Sequence, residues 1–373
     1  MTVERERIVS LQILRFVAAM MVALCHARYL IPTITGGAGP VWFWNGAVVG
    51  VAGVDLFFVI SGFVIAMTGP FAARRPSAKV FFWRRWRRVA PVYFVISLPF
   101  IVNAWRASGL SSDELIATFL FWPAAGAKVV TPYVGVGWTL CYEMAFYSAM
   151  AIVLIGGRTR RNLAIGVSIV AVLVATRAIS DAAWLRYLVN PMFLEFGLGV
   201  ALAYGRRWLD GLPVMVGVVL LLAGVAAFAL EAASNVGDVV GDPWLVLRGG
   251  NLWPRLALYG LPSGVIVAGA LICEPRCRGR LAELFAKGGD ASYAIYLTHL
   301  VAMAQVAALW LAIGAPREPF LIVTVGLAGA LAAGLLVYRL IEQPILRDLK
   351  RLRPIRPPWR PAVVAAAEPG APV

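Results

Sequence analysis

The sequence predicts an all-α, polytopic membrane helix bundle of about ten transmembrane helices with both termini in the cytoplasm. Three observations predict it. Hydrophobic residues make up 61% of the chain and charged residues 14%, against about 25% charged in a soluble domain, so most of the surface does not face water. Apolar runs of about 17–23 residues recur from end to end, each long enough to cross roughly 30 Å of hydrocarbon. In lipid every backbone N–H and C=O needs an internal partner, so such runs form helices, and they lack the alternation of a membrane barrel. Finally, basic residues collect in alternate loops.

The expected helices span residues 9–30, 47–68, 89–105, 136–155, 162–178, 187–204, 212–230, 252–273, 291–313 and 320–341. Arg5 and Arg7 precede the first, and residues 31–46 after it carry no charge. Arg74, Arg75, Lys79, Arg84, Arg85, Arg87 and Arg88 lie before the third. In the next loop Asp113 and Glu114 offset Arg106 and Lys128. Arg158, Arg160 and Arg161, then Arg206 and Arg207, then Arg276, Arg278, Arg280 and Lys287 mark the following basic loops, and Arg347, Lys350, Arg351, Arg353, Arg356 and Arg360 the tail. The intervening loops contain Asp181 and then Glu231, Asp238 and Asp242 beside Arg248. An odd number of helices would put the two basic ends on opposite sides. The stretch 115–123 is too short to span and is expected in the interface or folded back. Pro191, Pro254 and Pro262 are expected to kink their helices, with neighbours satisfying the freed carbonyls. Residues 1–350 are expected to form one membrane domain and 351–373, rich in Pro and Ala, a disordered cytoplasmic tail.

The net charge of +15, from 34 Lys+Arg and 19 Asp+Glu, is accounted for by the alternating loops, so a lipid bilayer rather than nucleic acid is the expected partner. Cys25, Cys141 and Cys273 fall in apolar runs as small hydrophobes. The Cys273/Cys277 spacing lacks a second metal-binding pair, so neither a metal site nor a disulfide framework is expected. Glu4 and Glu6 among the first basic residues, with no cleavage site after the run, read as a retained helix rather than a signal peptide.

Ionisable groups inside a bilayer are costly, which makes each a functional candidate. The candidates are Arg15, His26, Asp55, Glu143, Glu195 and His299, and the last includes one of only two histidines. Arg15 and His26 are eleven residues apart, so one helix face carries both, about 16 Å apart along the axis. Against this stands a snorkelling role for Arg15 and a structural hydrogen bond for His26. By depth, His26, Asp55 and Glu143 could meet in the outer half of the membrane, where a carboxylate would orient the imidazole as a general base for a hydroxyl. For Asp55 a buried ion pair between helices competes equally. His299 belongs either to the donor path or to packing. Arg84, Arg85, Arg87 and Arg88, with Trp83 and Trp86, could hold the phosphates of a cytosolic cofactor such as coenzyme A, or could anchor the helix at the interface.

These residues sit in ordered motifs. They are Leu11-Gln12-Ile13-Leu14-Arg15-Phe16 leading to His26; Gly53-Val54-Asp55-Leu56-Phe57-Phe58-Val59-Ile60-Ser61-Gly62-Phe63; the Arg-rich segment up to Pro91 and Tyr93; Gly137-Trp138-Thr139-Leu140-Cys141-Tyr142-Glu143 with Phe146-Tyr147; Ser292-Tyr293-Ala294-Ile295-Tyr296-Leu297-Thr298-His299; and Ile341-Glu342-Gln343-Pro344. In these the chain resembles acyltransferase family 3, integral membrane O-acyltransferases of O-antigen, exopolysaccharide, nodulation factors and macrolides. It departs at Gln12 and Ile13, where the family has an acid and a glycine, and at Thr139, where it has serine. The resemblance implies an acyl group, commonly acetyl, taken from acyl-CoA on the cytoplasmic side of a bacterial inner membrane. The acceptor it implies is a hydroxyl of a saccharide or glycoconjugate. It implies His26 as the essential histidine, Arg15 and Glu143 in the site, and an Arg-x-x-Arg pair near the donor, 84/87 or 85/88. We assign Ser61, Trp138, Tyr142 and His299, from the same motifs, to the substrate. A transporter or flippase using the same buried charges is the alternative from another class, and coenzyme A binding discriminates the two.

Overall fold

The computed structural model describes residues 7–37, 40–72, 75–125, 128–157, 182–234 and 252–351, with isolated positions between 161 and 180. Nine helical stretches among the described residues are long and apolar enough to cross a membrane. They are α1 (Val9–Thr35), α2 (Gly46–Thr68), α3 (Ala78–Ala107), α4 (Gly135–Val153), α5 (Ala183–Tyr204), α6 (Val214–Ser234), α7 (Trp253–Arg276), α8 (Ser292–Ala312) and α9 (Pro319–Leu349). Each overlaps an expected helix. The remaining one, 162–178, lies largely outside the described residues, as does the tail from 352. The fold is the expected all-α membrane bundle. Its only sheet among the described residues is a hairpin of β1 (Ala124–Ala125) and β2 (Lys128–Val129).

One boundary differs from expectation. The Arg-rich segment, expected to precede the third helix, forms the first turns of α3, whose N-cap Ser77 accepts from the Val80 amide. Helical geometry therefore sets which arginines share a face. The stretch expected near 115–123 is a short helix, Ser112–Leu120, capped by Ser111.

At the centre α2 packs against α1 on one side and α5 on another. Gly62 abuts the Phe196 carbonyl and Gly199 the Val59 carbonyl, so α2 and α5 touch backbone to backbone. Gly53 likewise lies against the Ala18 carbonyl of α1. The amides of Val9 and Ser10, unsatisfied at a helix start, donate to the two Glu274 oxygens at 2.8 and 2.7 Å. The amphipathic helix Arg280–Asp290 runs beside α1 through Gly288 and Gly289, which contact Phe16 and the Gln12 backbone. Arg7 clasps it by pairing with Glu283 at 3.0 Å and Asp290 at 2.8 Å. Two π-helical turns interrupt the spans, Leu256–Gly260 and Tyr338–Glu342. The first immediately precedes Pro262, whose missing N–H breaks the regular ladder there.

Candidate active site

Arg15 and His26 lie on one face of α1 and organise two layers. In the first, Glu143 of α4 accepts through one oxygen from Ser61 Oγ at 2.9 Å and from the Tyr147 hydroxyl at 2.5 Å. Tyr147 follows Glu143 by one helical turn, and Ser61 comes from α2, so the contact ties two spans together. Glu143, Tyr147, Arg88 and Glu342 all lie within electrostatic reach of Arg15. Arg85 of α3 donates to Thr68 Oγ1 and stands 6.0 Å from the centre of the Tyr147 ring. Arg85 and Arg88 are thus the register of the arginine segment that faces this layer. Arg87 instead donates to the Leu349 carbonyl at 2.7 Å; Arg84 and Arg88 are both exposed, and of these two only Arg88 acts on Arg15.

At the mouth of this layer sits Asp290, outside the spans. Partial burial raises its carboxyl above the usual range, and Arg7, Arg15 and Arg88 pull it back down. Arg7 is taken up by Glu283 and Asp290, so Arg15 and Arg88, beside Glu143 and Glu342, are the guanidiniums of this side that could meet an anionic ligand.

The second layer holds the two histidines. His299 Nε2 lies 3.2 Å from His26 Nδ1, with ring centres 4.9 Å apart. His26 Nδ1 also faces the Val22 carbonyl at 2.9 Å, and His299 Nδ1 faces the Tyr296 carbonyl at 2.7 Å. A carbonyl only accepts, so in both neutral rings the proton is assigned to Nδ1. His299 Nε2 then carries a lone pair and accepts part of the His26 Nδ1–H. His26 Nε2 is left as an unprotonated nitrogen with no partner among the described residues, on a half-buried side chain. His299 is fully buried. Tyr296 links the layers: its hydroxyl bonds Thr139 and the Val136 carbonyl, each at 2.9 Å.

The structure does not gather all the expected residues. Asp55 is not beside His26. It pairs with Arg255 of α7 at 2.7 Å, both groups buried, which is the competing ion-pair role. Glu143 belongs to the Arg15 layer, so the partner of His26 is an imidazole and not a carboxylate. Trp138 and Tyr142 are buried in an aromatic core with Phe58, Tyr187 and Phe193. Tyr142 there accepts from Asn190 at 2.9 Å. Both side chains thus pack α4 against its neighbours. Glu195 stands beside Asp55 rather than in the His26 layer. Arg255 and Glu342 are absent from the ionisable candidates, although Arg255 falls inside an expected span and Glu342 belongs to the motif Ile341-Glu342-Gln343-Pro344 just past another. Their polarity in apolar runs was the available signal.

No solved structure gives a significant match. Residues 8–339 match the Acyltransferase domain family. Fold and match together define the class, an integral membrane acyltransferase. The chain belongs to acyltransferase family 3, the family its motifs resemble. It is 34% identical to the Exopolysaccharide production protein ExoZ of Rhizobium meliloti (strain 1021), covering 80% of this chain and 90% of ExoZ. It is 26% identical to the Acyltransferase MdmB of Streptomyces mycarofaciens, covering 94% of each.

Proposed function

We propose that this protein transfers an acyl group, acetyl first among candidates, from acyl-CoA to a hydroxyl of a saccharide or glycoconjugate, with His26 as general base. The observation that carries the proposal is the position of His26 Nδ1, 2.9 Å from the Val22 carbonyl and 3.2 Å from His299 Nε2. The His26 Nδ1–H is held by Val22 and His299, which leaves Nε2 as the proton acceptor. The balance of the step is simple. His26 Nε2 takes the proton of the acceptor hydroxyl as the oxygen attacks the thioester carbonyl. The C–S bond breaks, the thiolate leaves, and the imidazolium returns the proton to it. His299 Nε2 stabilises the imidazolium as the carboxylate of a catalytic triad would, without adding a buried negative charge.

Arg85 and Arg88, with Arg15, are positioned to hold coenzyme A phosphates. Ser61 and Tyr147 fix Glu143, whose charge in turn orients Arg15. The saccharide acceptor is supported by the likeness to ExoZ, whose name concerns exopolysaccharide production. We place the protein in a bacterial inner membrane with the donor on the cytoplasmic side, on the strength of the basic-loop pattern.

The test is a membrane assay with labelled acetyl-CoA and a lipid-linked saccharide extract. The wild-type chain is expected to label the saccharide, and His26→Ala to lower the rate by about 10²–10⁴-fold. Wild-type labelling by His26→Ala would remove the mechanism. Failure of the purified wild-type protein to bind coenzyme A would favour the transport alternative.

A further inference from the structure

Away from the His26 site, buried ionisable side chains meet where α2, α5, α6 and the start of α7 converge. Asp55 is 0% exposed, Glu195 1%, Arg255 2%, Glu231 4% and Tyr259 0%. The Arg255 guanidinium donates to Asp55 Oδ2 at 2.7 Å and so neutralises one carboxylate. With Glu195 also ionised, a second negative charge would stand beside this ion pair in a dry interior, where the desolvation penalty is large.

The oxygen contacts show where the excess is relieved. Neither Glu195 oxygen, nor Asp55 Oδ1, meets a donor among the described residues. Yet the Asp55 and Glu195 carboxyl groups lie within hydrogen-bonding reach of each other. Two ionised carboxylates at such a separation repel. A proton between them makes one the donor and the other the acceptor. Asp55 carries the ion pair with Arg255, so the donor is Glu195. The backing of Glu195 fits a neutral group. At Gly260, the last residue of the π-helical turn, an added Cβ would lie 3.0 Å from Glu195 Cγ and 3.2 Å from Oε1, so the carboxyl rests on bare backbone. A metal cation is a poorer occupant: no group of three metal-ligating side chains occurs among the described residues, and Arg255 would repel it.

We propose that Asp55 and Glu195 hold one proton between them, making this four-helix junction a proton-binding site separate from the His26 layer. The titratable and charged groups that face it are Asp55 from α2, Glu231 from α6, and Arg255 and Tyr259 from α7. The proposal does not depend on the acyl-transfer reading.

A glutamate in an unfolded chain has a pKa of about 4.3, so near neutral pH unfolding releases this proton. The native state binds one proton more, and stability falls as pH rises. One retained proton shifts the unfolding equilibrium about tenfold per pH unit. Glu195→Gln is a permanently neutral stand-in and removes that dependence.

The experiment uses the full chain purified in detergent, with infrared spectroscopy at neutral pH and thermal unfolding across a pH series. Wild type is expected to show the carbonyl band of a protonated carboxylic acid. Glu195→Gln is expected to lose that band, to unfold no earlier than wild type, and to have a flatter pH profile. Glu342→Gln serves as a control for a second buried acid. Asp55→Asn strands Arg255 and is expected to be strongly destabilised. An unchanged carbonyl band in Glu195→Gln with a parallel pH profile overturns the proposal, as does destabilisation equal to that of Asp55→Asn. If the variant does not fold, a carbodiimide that attacks protonated carboxyls is used on folded wild type, with peptide mapping. Label at Glu195 supports the proposal; an unlabelled Glu195, with the acid-treated unfolded chain labelled there, overturns it.

Discussion

His299 Nε2 lies 3.2 Å from His26 Nδ1, so the imidazole on α1 is oriented by a second imidazole on α8. His299 is therefore a positioning residue. His299→Leu removes the lone pair that shares the His26 Nδ1–H and is expected to lower kcat for acyl transfer by about 10–100-fold, the usual scale for a group that orients a reacting ligand. KM for the donor should change little. His299→Gln, whose amide oxygen can accept in the place of Nε2, should recover much of the loss. Steady-state kinetics on membranes decide the matter. Equal losses in both variants would mean that His299 only packs.

Glu143 separates charge from hydrogen bonding. Its one oxygen receives both Ser61 and Tyr147. Glu143→Gln keeps an acceptor there but removes the charge facing Arg15, so activity should fall while thermal stability stays near wild type. Glu143→Ala strands two donors and is expected to cost about 1–3 kcal/mol for each as well. Comparing melting temperatures and rates of the two variants checks this. Similar melting temperatures would contradict it.

The arginine segment has a functional face and an indifferent one. Arg88→Ala and Arg85→Ala each remove a guanidinium facing the Arg15 layer. Each should weaken coenzyme A binding by about tenfold or more, since a charge-assisted hydrogen bond is worth about 1.5–3 kcal/mol. Arg84→Ala, at a guanidinium as exposed as Arg88 but not among those acting on Arg15, should bind within about twofold of wild type. Calorimetry with coenzyme A measures all three. A loss at Arg84 as large as at Arg88 would assign the segment to general electrostatic anchoring.

The α2–α5 seam offers its own control. Gly62→Ala and Gly199→Ala each push a methyl group into a backbone carbonyl of the facing helix. Overpacking of this kind is expected to cost about 1–3 kcal/mol or more. Gly197→Ala, on the same helix with nothing within 4 Å of its Cβ, should unfold no earlier than wild type. Thermal unfolding in detergent compares them.

Much of the site was legible because membranes penalise charge. Arg15, His26 and Glu143 stand out in apolar runs, and their depths follow from helical rise. What misled the reading was the depth assigned to Asp55. Gly50 meets Cys25 and Gly53 meets Ala18, so Asp55 stands further along α2 than the level of His26, and the rotation of α2 turns it toward Arg255. Rotation is set by side-chain packing around the whole bundle, through contacts such as Gly62 on Phe196, and no spacing along one helix encodes it. The same holds for Trp138 and Tyr142, whose motif position suggests ligand contact while packing buries them.

By itself the sequence determined that the chain is a bundle of apolar helices, which of its polar groups must be interior, and that Arg15 and His26 share a face. These follow from backbone hydrogen bonding in lipid and from the period of one helix. Only the tertiary structure decided that His299 and not a carboxylate meets His26, that Glu143 serves Arg15, and that Asp55, Glu195 and Arg255 close a separate junction. Those pairings join residues up to 273 positions apart, and the close packing of whole helices, not local chemistry, selects them.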